Sequence, residues 1–69
     1  MKVFGERLKE IREERSLSMS ELARQMETSH QNISRWERGE IMPSGETLVK
    51  LVNFLKVSAD YLLGLRNDY

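Results

Sequence analysis

The chain of 69 residues has no cysteine, one proline and one histidine. The lack of cysteine excludes a disulfide framework and a thiolate metal site, and it agrees with a reducing cytoplasm. With His30 as the only imidazole, a histidine metal site is not expected either. We therefore predict no metal and no other cofactor.

Long apolar runs are also missing. No stretch approaches the roughly 20 apolar residues that span a bilayer, and residues 1–10 lack the apolar region of a signal peptide. A chain of this length forms one small domain, residues 1–69, without room for a cofactor cleft of ordinary size. We expect a cytoplasmic protein with no membrane partner and no small-molecule substrate.

Catalytic patterns are absent from the sequence. It has no His–carboxylate–nucleophile set, no glycine-rich phosphate loop and no metal-ligand spacing, which argues against an enzyme. An excess of basic charge is absent too, because 11 Lys and Arg residues balance 11 Asp and Glu residues. A basic footprint is the usual first sign of nucleic-acid binding. The positions of the charges along the chain are therefore more informative about nucleic-acid binding than the net charge.

Residues 18–39 contain two short amphipathic stretches separated by about three residues, which is the spacing of a helix-turn-helix. The first stretch opens with a capping box, in which Ser18 caps the helix and Glu21 reaches back to the Ser18 amide. The second opens with Ser29, a strong N-cap residue. Between Ser29 and Gly39 the only acidic residue is Glu37, so this segment gives a neutral molecule one positive face.

At 100° per residue, Ile33, Trp36 and Glu37 share one side of the second stretch. Its other side carries Gln31 and Arg35 together with Arg38, while Asn32 and Ser34 lie on the flanks. Amide and guanidinium groups suit this helix for reading base edges, because Gln pairs with adenine and Arg with guanine in the major groove.

The pattern resembles the Cro/C1 (Xre) family of bacterial and phage helix-turn-helix regulators, and the match covers roughly residues 4–65. Any one fragment is weak evidence, but the ordered set at family spacing is specific. The residues that carry the resemblance are Leu17-Ser18, Glu21-Leu22-Ala23, Ile33-Ser34, Trp36-Glu37, Gly39, Pro43, Leu48 and Val57-Ser58-Ala59-Asp60-Tyr61-Leu62-Leu63-Gly64.

The resemblance implies an all-α fold, a compact five-helix lambda-repressor-like DNA-binding domain whose second and third helices form the helix-turn-helix. Periodicity and caps place the helices at about 4–15, 19–26, 30–38, 46–56 and 59–63. Gly39 and Gly64 are expected to end the third and fifth helices. Residues 66–69 are expected to be frayed.

Implied base-reading positions are His30, Gln31 and Arg35, with Asn32 and Ser34 as further candidates. In helix-turn-helix docking the N-terminal end of the recognition helix enters the major groove. His30 and Gln31 then project from the tip of this helix, and Arg35 follows one turn later.

Phosphate contacts are expected around this helix, at helix N-termini with free amides and at two arginines. The candidates are Ser18, Met19, Ser20, Ser29, Arg38 and Arg12. The resemblance also implies that Arg12 pairs with Glu37 and so ties the first helix to the third.

Three residues depart from the family pattern. Met19 replaces a common glutamine, and Glu27 replaces a turn glycine in the left-handed conformation, at a cost of about 1 kcal/mol. Glu40 would be repelled by DNA. These departures predict weaker binding than in basic relatives.

We interpret the chain as a sequence-specific binder of double-stranded DNA and a transcriptional regulator, with repression favoured over activation. By family habit it would act as a homodimer on a palindromic operator, with Tyr61 and Leu65 at the dimer contact. The alternative is an antitoxin-like or other protein-interaction module on the same fold. A further alternative is that the chain is part of a longer regulator.

Overall fold

The computed structural model describes residues 1–69 and contains five helices and no strand. The helices are α1 (Lys2–Glu14), α2 (Met19–Gln25), α3 (His30–Glu37), α4 (Gly45–Leu55) and α5 (Ala59–Leu62). None of them has the length and apolar character required to cross a membrane.

Four of the five helices begin in the same way, with a serine as N-cap. In each case the serine Oγ accepts a hydrogen bond from the backbone N–H three residues later, as an N-cap should. At α2 the capping box is complete, because the Glu21 carboxylate also accepts from the Ser18 amide at 2.8 Å. The predicted starts of α2 and α3 are confirmed, while α4 begins one residue earlier than expected.

The helix ends follow from backbone geometry. Gly39 (φ 76°) and Gly64 (φ 81°) take the left-handed conformation that was expected to stop α3 and α5. α4 ends at Leu55, one residue before its expected end, because Lys56 is itself left-handed (φ 59°) and caps the helix. Ser16 takes the same conformation after α1 (φ 57°). Neither residue is a glycine, so no turn signal marks these positions in the sequence.

A single hydrophobic cluster of 13 buried residues receives side chains from every helix. The α1 stripe predicted from its spacing, Phe4, Leu8 and Ile11, is fully buried. Leu51 and Leu55 anchor α4, whereas Leu48 and Val52 pack against the cluster from its edge. The core therefore lies beneath α3 and holds its apolar side.

The C-terminal residues pack back onto α1 and α5, so the expectation that residues 66–69 are frayed was wrong. The Tyr69 hydroxyl donates to the Glu14 carboxylate, and its ring meets Tyr61 edge-on at a centroid distance of 5.0 Å. Arg7 donates to the Asn67 Oδ1 at 3.0 Å and stacks over the Tyr61 ring. The contacts of Arg7 and the Tyr69–Glu14 hydrogen bond join residues more than 50 positions apart, which local sequence patterns do not reveal.

Candidate nucleic-acid interface

A buried ion pair fixes α3 to α1. The Arg12 Nε donates to Glu37 Oε2 at 2.6 Å, and Nη2 donates to Oε1 at 3.1 Å. The two side chains are only 9% and 3% exposed. The hydrogen bond to Glu37 raises the pKa of Arg12, which therefore stays charged. The pairing that the resemblance implied is confirmed.

The same guanidinium reaches the segment that leads into α2. Arg12 Nη1 donates to the Leu17 carbonyl at 2.8 Å, next to the N-cap Ser18. Three donors of one side chain thus connect α1, the entry to α2 and the end of α3. With these bonds made inside the protein, Arg12 has little surface to offer to a phosphate.

Close backbone contact between α1 and α3 supplements the ion pair. A Cβ atom built on Gly5 would lie 2.4 Å from the Glu37 carbonyl oxygen and 2.6 Å from that of Trp36. Only glycine permits this approach without displacing a helix. The role of Gly5 was not predicted, because no local sequence pattern distinguishes it from a tolerated helical glycine.

The turn between α2 and α3 has the geometry predicted for it. Glu27 is left-handed (φ 56°), and the Thr28 amide donates to the Ala23 carbonyl at 2.9 Å. Ser29 then caps α3 through the Asn32 amide. The Asn32 side chain donates in addition to Thr28 Oγ1 at 2.9 Å. Asn32 is therefore half-buried and partly engaged in holding the turn.

The outward side of α3 is free of other helices. His30, Gln31, Arg35 and Arg38 are exposed, while Ile33 and Trp36 on the opposite side are buried. Ser34 is half-buried at the flank. Of the five predicted base-reading residues, three are thus exposed (His30, Gln31 and Arg35), whereas Asn32 and Ser34 lie half-buried at the margin.

An acidic residue joins this surface from the loop after α3. Glu40 Oε2 lies 3.1 Å from the Arg38 Nε, and Glu40 Oε1 lies 3.6 Å from the Arg35 Nε. From the sequence, Glu40 was expected only to be repelled by DNA. Its contact with both arginines was not predicted, because it depends on the left-handed turn at Gly39.

The candidate phosphate contacts at the start of α2 are only partly free. The Ser18 amide is taken by the Glu21 carboxylate, and these hydrogen bonds from Ser18 lower the pKa of Glu21. Met19 is half-buried against the core, whereas Ser20 is exposed. Ser29 Oγ is engaged in its capping bond and remains at the exposed tip of α3.

This arrangement defines a five-helix helix-turn-helix domain. Its α3 has a polar outer side and is fixed by the Arg12–Glu37 pair, by the close approach of Gly5 and by the turn before it. The helix-turn-helix family model matches residues 8–62. The chain belongs to the Cro/C1-type helix-turn-helix family.

Relatives of this chain are named as regulators. It is 42% identical to the HTH-type transcriptional regulator ImmR of Bacillus subtilis over 61 residues, which are 88% of this chain and 48% of ImmR. It is 38% identical to repressor protein C2 of Salmonella phage P22, again over 88% of this chain but 28% of that protein. The chain thus spans half or less of the length of these relatives.

Solved structures agree with the fold. The P22 c2 repressor in complex with a synthetic operator superposes with a TM-score of 0.87 at 35% identity, covering 96% of this chain and all of that one. SinR, a master regulator for biofilm formation solved in complex with DNA, gives a TM-score of 0.77 at 36% identity and covers 87% of this chain and 97% of that one.

Proposed function

We propose that this chain binds double-stranded DNA sequence-specifically as a transcriptional regulator, with α3 in the major groove. One observation carries the proposal: α3 exposes a polar side and is itself fixed to α1 by the buried Arg12–Glu37 pair and by the close approach at Gly5. A rigid helix with free amide and guanidinium groups meets the geometric need of base recognition. The P22 and SinR structures, both solved with DNA, support the same use of this fold.

Base reading is assigned to His30 and Gln31 at the N-terminal tip and to Arg35 one turn later. Gln31 can bond adenine N6 and N7, and Arg35 can bond guanine O6 and N7. Asn32 and Ser34, which are half-buried, take lesser roles at the edge of the contact.

Phosphate contacts are assigned to Arg38, which is 60% exposed on its side chain, and to the exposed Ser20 and Ser29. Ser18 offers no free amide, because its N–H is occupied by Glu21, and Met19 can contribute only its backbone, because its side chain packs inward. Arg12 acts as a positioning residue that sets the angle of α3.

A single recognition helix reads few base pairs, so a homodimer on a palindromic operator fits the proposal, with repression as the outcome. Leu65, 74% exposed, stays a candidate for the dimer contact. Tyr61 does not, because it is buried beneath Arg7 and Tyr69. Such a role places the protein with the nucleoid in the cytoplasm and gives it no catalytic activity.

The test begins with in vitro selection of duplexes from random DNA by the 69-residue chain. Binding of the selected duplex and of a scrambled duplex is then measured at two salt concentrations. The variant Gln31→Ala/Arg35→Ala should lose about 1–3 kcal/mol per bidentate contact on the selected duplex. The control variant Arg24→Ala/Gln25→Ala removes the same residue types from the exposed end of α2 and should bind like wild type.

Two results would overturn the proposal. One is equal binding of the selected duplex by the α3 double variant and by wild type. The other is failure of the folded wild-type chain to enrich any sequence, which would favour the protein-interaction alternative.

A further inference from the structure

A charged triad lies at the C-terminal end of α3. Glu40 places one carboxylate oxygen near each of two guanidinium groups, at 3.6 Å from Arg35 and 3.1 Å from Arg38. All three side chains are about half exposed, so the triad sits on the surface and not in the core. The ion pair itself stabilises the fold little. The ion pair is therefore more important for how Arg35 and Arg38 bind a ligand than for the stability of the fold.

The geometry of the contacts leaves part of each arginine free. In both pairs the nearest guanidinium nitrogen is Nε, the one closest to the side-chain stem. The terminal amino groups are the ones that a guanine edge or a phosphate oxygen would engage. Glu40 can therefore attract each side chain at its stem, while the terminal nitrogens lie farther from the carboxylate.

The charge of Glu40 acts on the phosphates as well. Two arginines with one carboxylate between them carry a net charge of about one, so they neutralise about one phosphate fewer than two unpaired arginines would. Attraction to DNA of any sequence falls accordingly. Hydrogen bonds to base edges depend on the orientation of the guanidinium groups, so the charge of Glu40 weakens them less.

On the basis of the proposed function, we propose that Glu40 is a specificity-determining positioning residue: it restrains Arg35 and Arg38 by their stems and prevents their indiscriminate binding to phosphates. Without it, both side chains move freely to the nearest phosphates on any duplex. Affinity for non-operator DNA then rises more than affinity for the operator.

The experiment compares Glu40→Gln with wild type on two duplexes, the one selected in vitro by wild type and a scrambled duplex of equal composition. The ratio of the dissociation constant for the scrambled duplex to that for the selected duplex should fall by about threefold in Glu40→Gln, which lies within the range of one surface pair. The slope of log affinity against log salt on the scrambled duplex should steepen by about 0.9, the value of one additional phosphate contact. The melting temperature should not change.

Glu10→Gln is the matched control, because it removes one exposed carboxylate from α1 without an ion-pair partner and changes the net charge equally. Glu40→Asp keeps the charge but shortens the reach, and it should retain the salt slope while losing part of the discrimination. An unchanged ratio in Glu40→Gln, or the same change in Glu10→Gln, would overturn the inference while leaving the DNA-binding proposal intact. Failure of wild type to prefer its selected duplex would instead overturn the proposed function.

Discussion

Arg12 and Glu37 form the one ion pair in the molecule whose two side chains are both almost fully buried, with Nε to Oε2 at 2.6 Å. The other four ion pairs lie between side chains that are at least 47% exposed. Buried and exposed pairs respond differently to mutation, because only a buried charge loses its solvation when its partner is removed.

Glu37→Gln should therefore destabilise the fold by about 3–5 kcal/mol, since Arg12 is left buried without a counter-charge. Arg12→Met should have a similar effect. The double variant Arg12→Met/Glu37→Leu should lose much less than the sum of the single variants, because an apolar pair leaves no charge to solvate. Urea unfolding monitored by circular dichroism measures the free energy of unfolding of all three variants.

Asp68→Asn is the control for this cycle. It breaks the exposed Arg66–Asp68 pair, which is also bidentate, at 2.9 and 3.0 Å. It should leave the unfolding midpoint where it is. Additive effects of the Arg12 and Glu37 substitutions would contradict the argument.

Gly5→Ala and Gly45→Ala should change stability in opposite directions. A methyl group at residue 5 would lie within 2.6 Å of two α3 carbonyl oxygens, whereas nothing lies within 4 Å of one at residue 45. The first substitution should cost about 1–3 kcal/mol through overpacking. The second should stabilise by about 0.4–1 kcal/mol, because alanine restricts the unfolded chain. Thermal melting distinguishes them, and a stabilised Gly5→Ala variant would refute the close approach.

Glu27→Gly should stabilise the protein by up to about 1 kcal/mol, because residue 27 is left-handed (φ 56°) and glycine adopts this conformation without a Cβ clash. The side chain itself contributes only an exposed contact to Lys50 at 3.8 Å. Glu27→Ala, which removes that contact but keeps a Cβ, serves as the control and should give no gain. Equal melting temperatures for the glycine and alanine variants would show that the backbone is unstrained.

Tyr69 should titrate abnormally. Its hydrogen bond to the Glu14 carboxylate raises its pKa from 10.0 to about 12. Because the folded-state pKa lies above the unfolded value, the contact contributes stability below pH 10 and loses it as the pH rises toward 12. NMR signals of the Tyr69 ring follow the titration. Glu14→Gln should return the midpoint toward 10.0, and no movement would mean that the tail does not reach α1.

Features set by neighbouring residues were predictable from the sequence. Ser18, Ser29 and Gly39 mark helix boundaries through bonds or torsions within a few positions, so the boundaries of α2 and α3 were found to within about one residue. The left-handed Glu27 was predicted by the family resemblance. The Arg12–Glu37 pair was predicted in the same way, since nothing local connects residues 25 positions apart.

Long-range contacts explain what was missed. The burial of Tyr61 depends on Arg7 and on the returning C-terminal residues, which no helical pattern encodes. Glu40 was assessed by the sign of its charge alone, whereas its position relative to Arg35 and Arg38 depends on the turn at Gly39. Lys56 ends α4 in a conformation that is uncommon for residues other than glycine.

The serine caps of α2 to α5 have a consequence for the assembly of the chain. Each serine Oγ is satisfied by an amide three positions away, so the caps need no distant segment, while the short helices themselves persist once they pack on the core. Folding dominated by such short-range steps is rapid, in the microsecond-to-millisecond range of small helical proteins. A newly synthesised copy would therefore present the outer side of α3 soon after these residues have been synthesised.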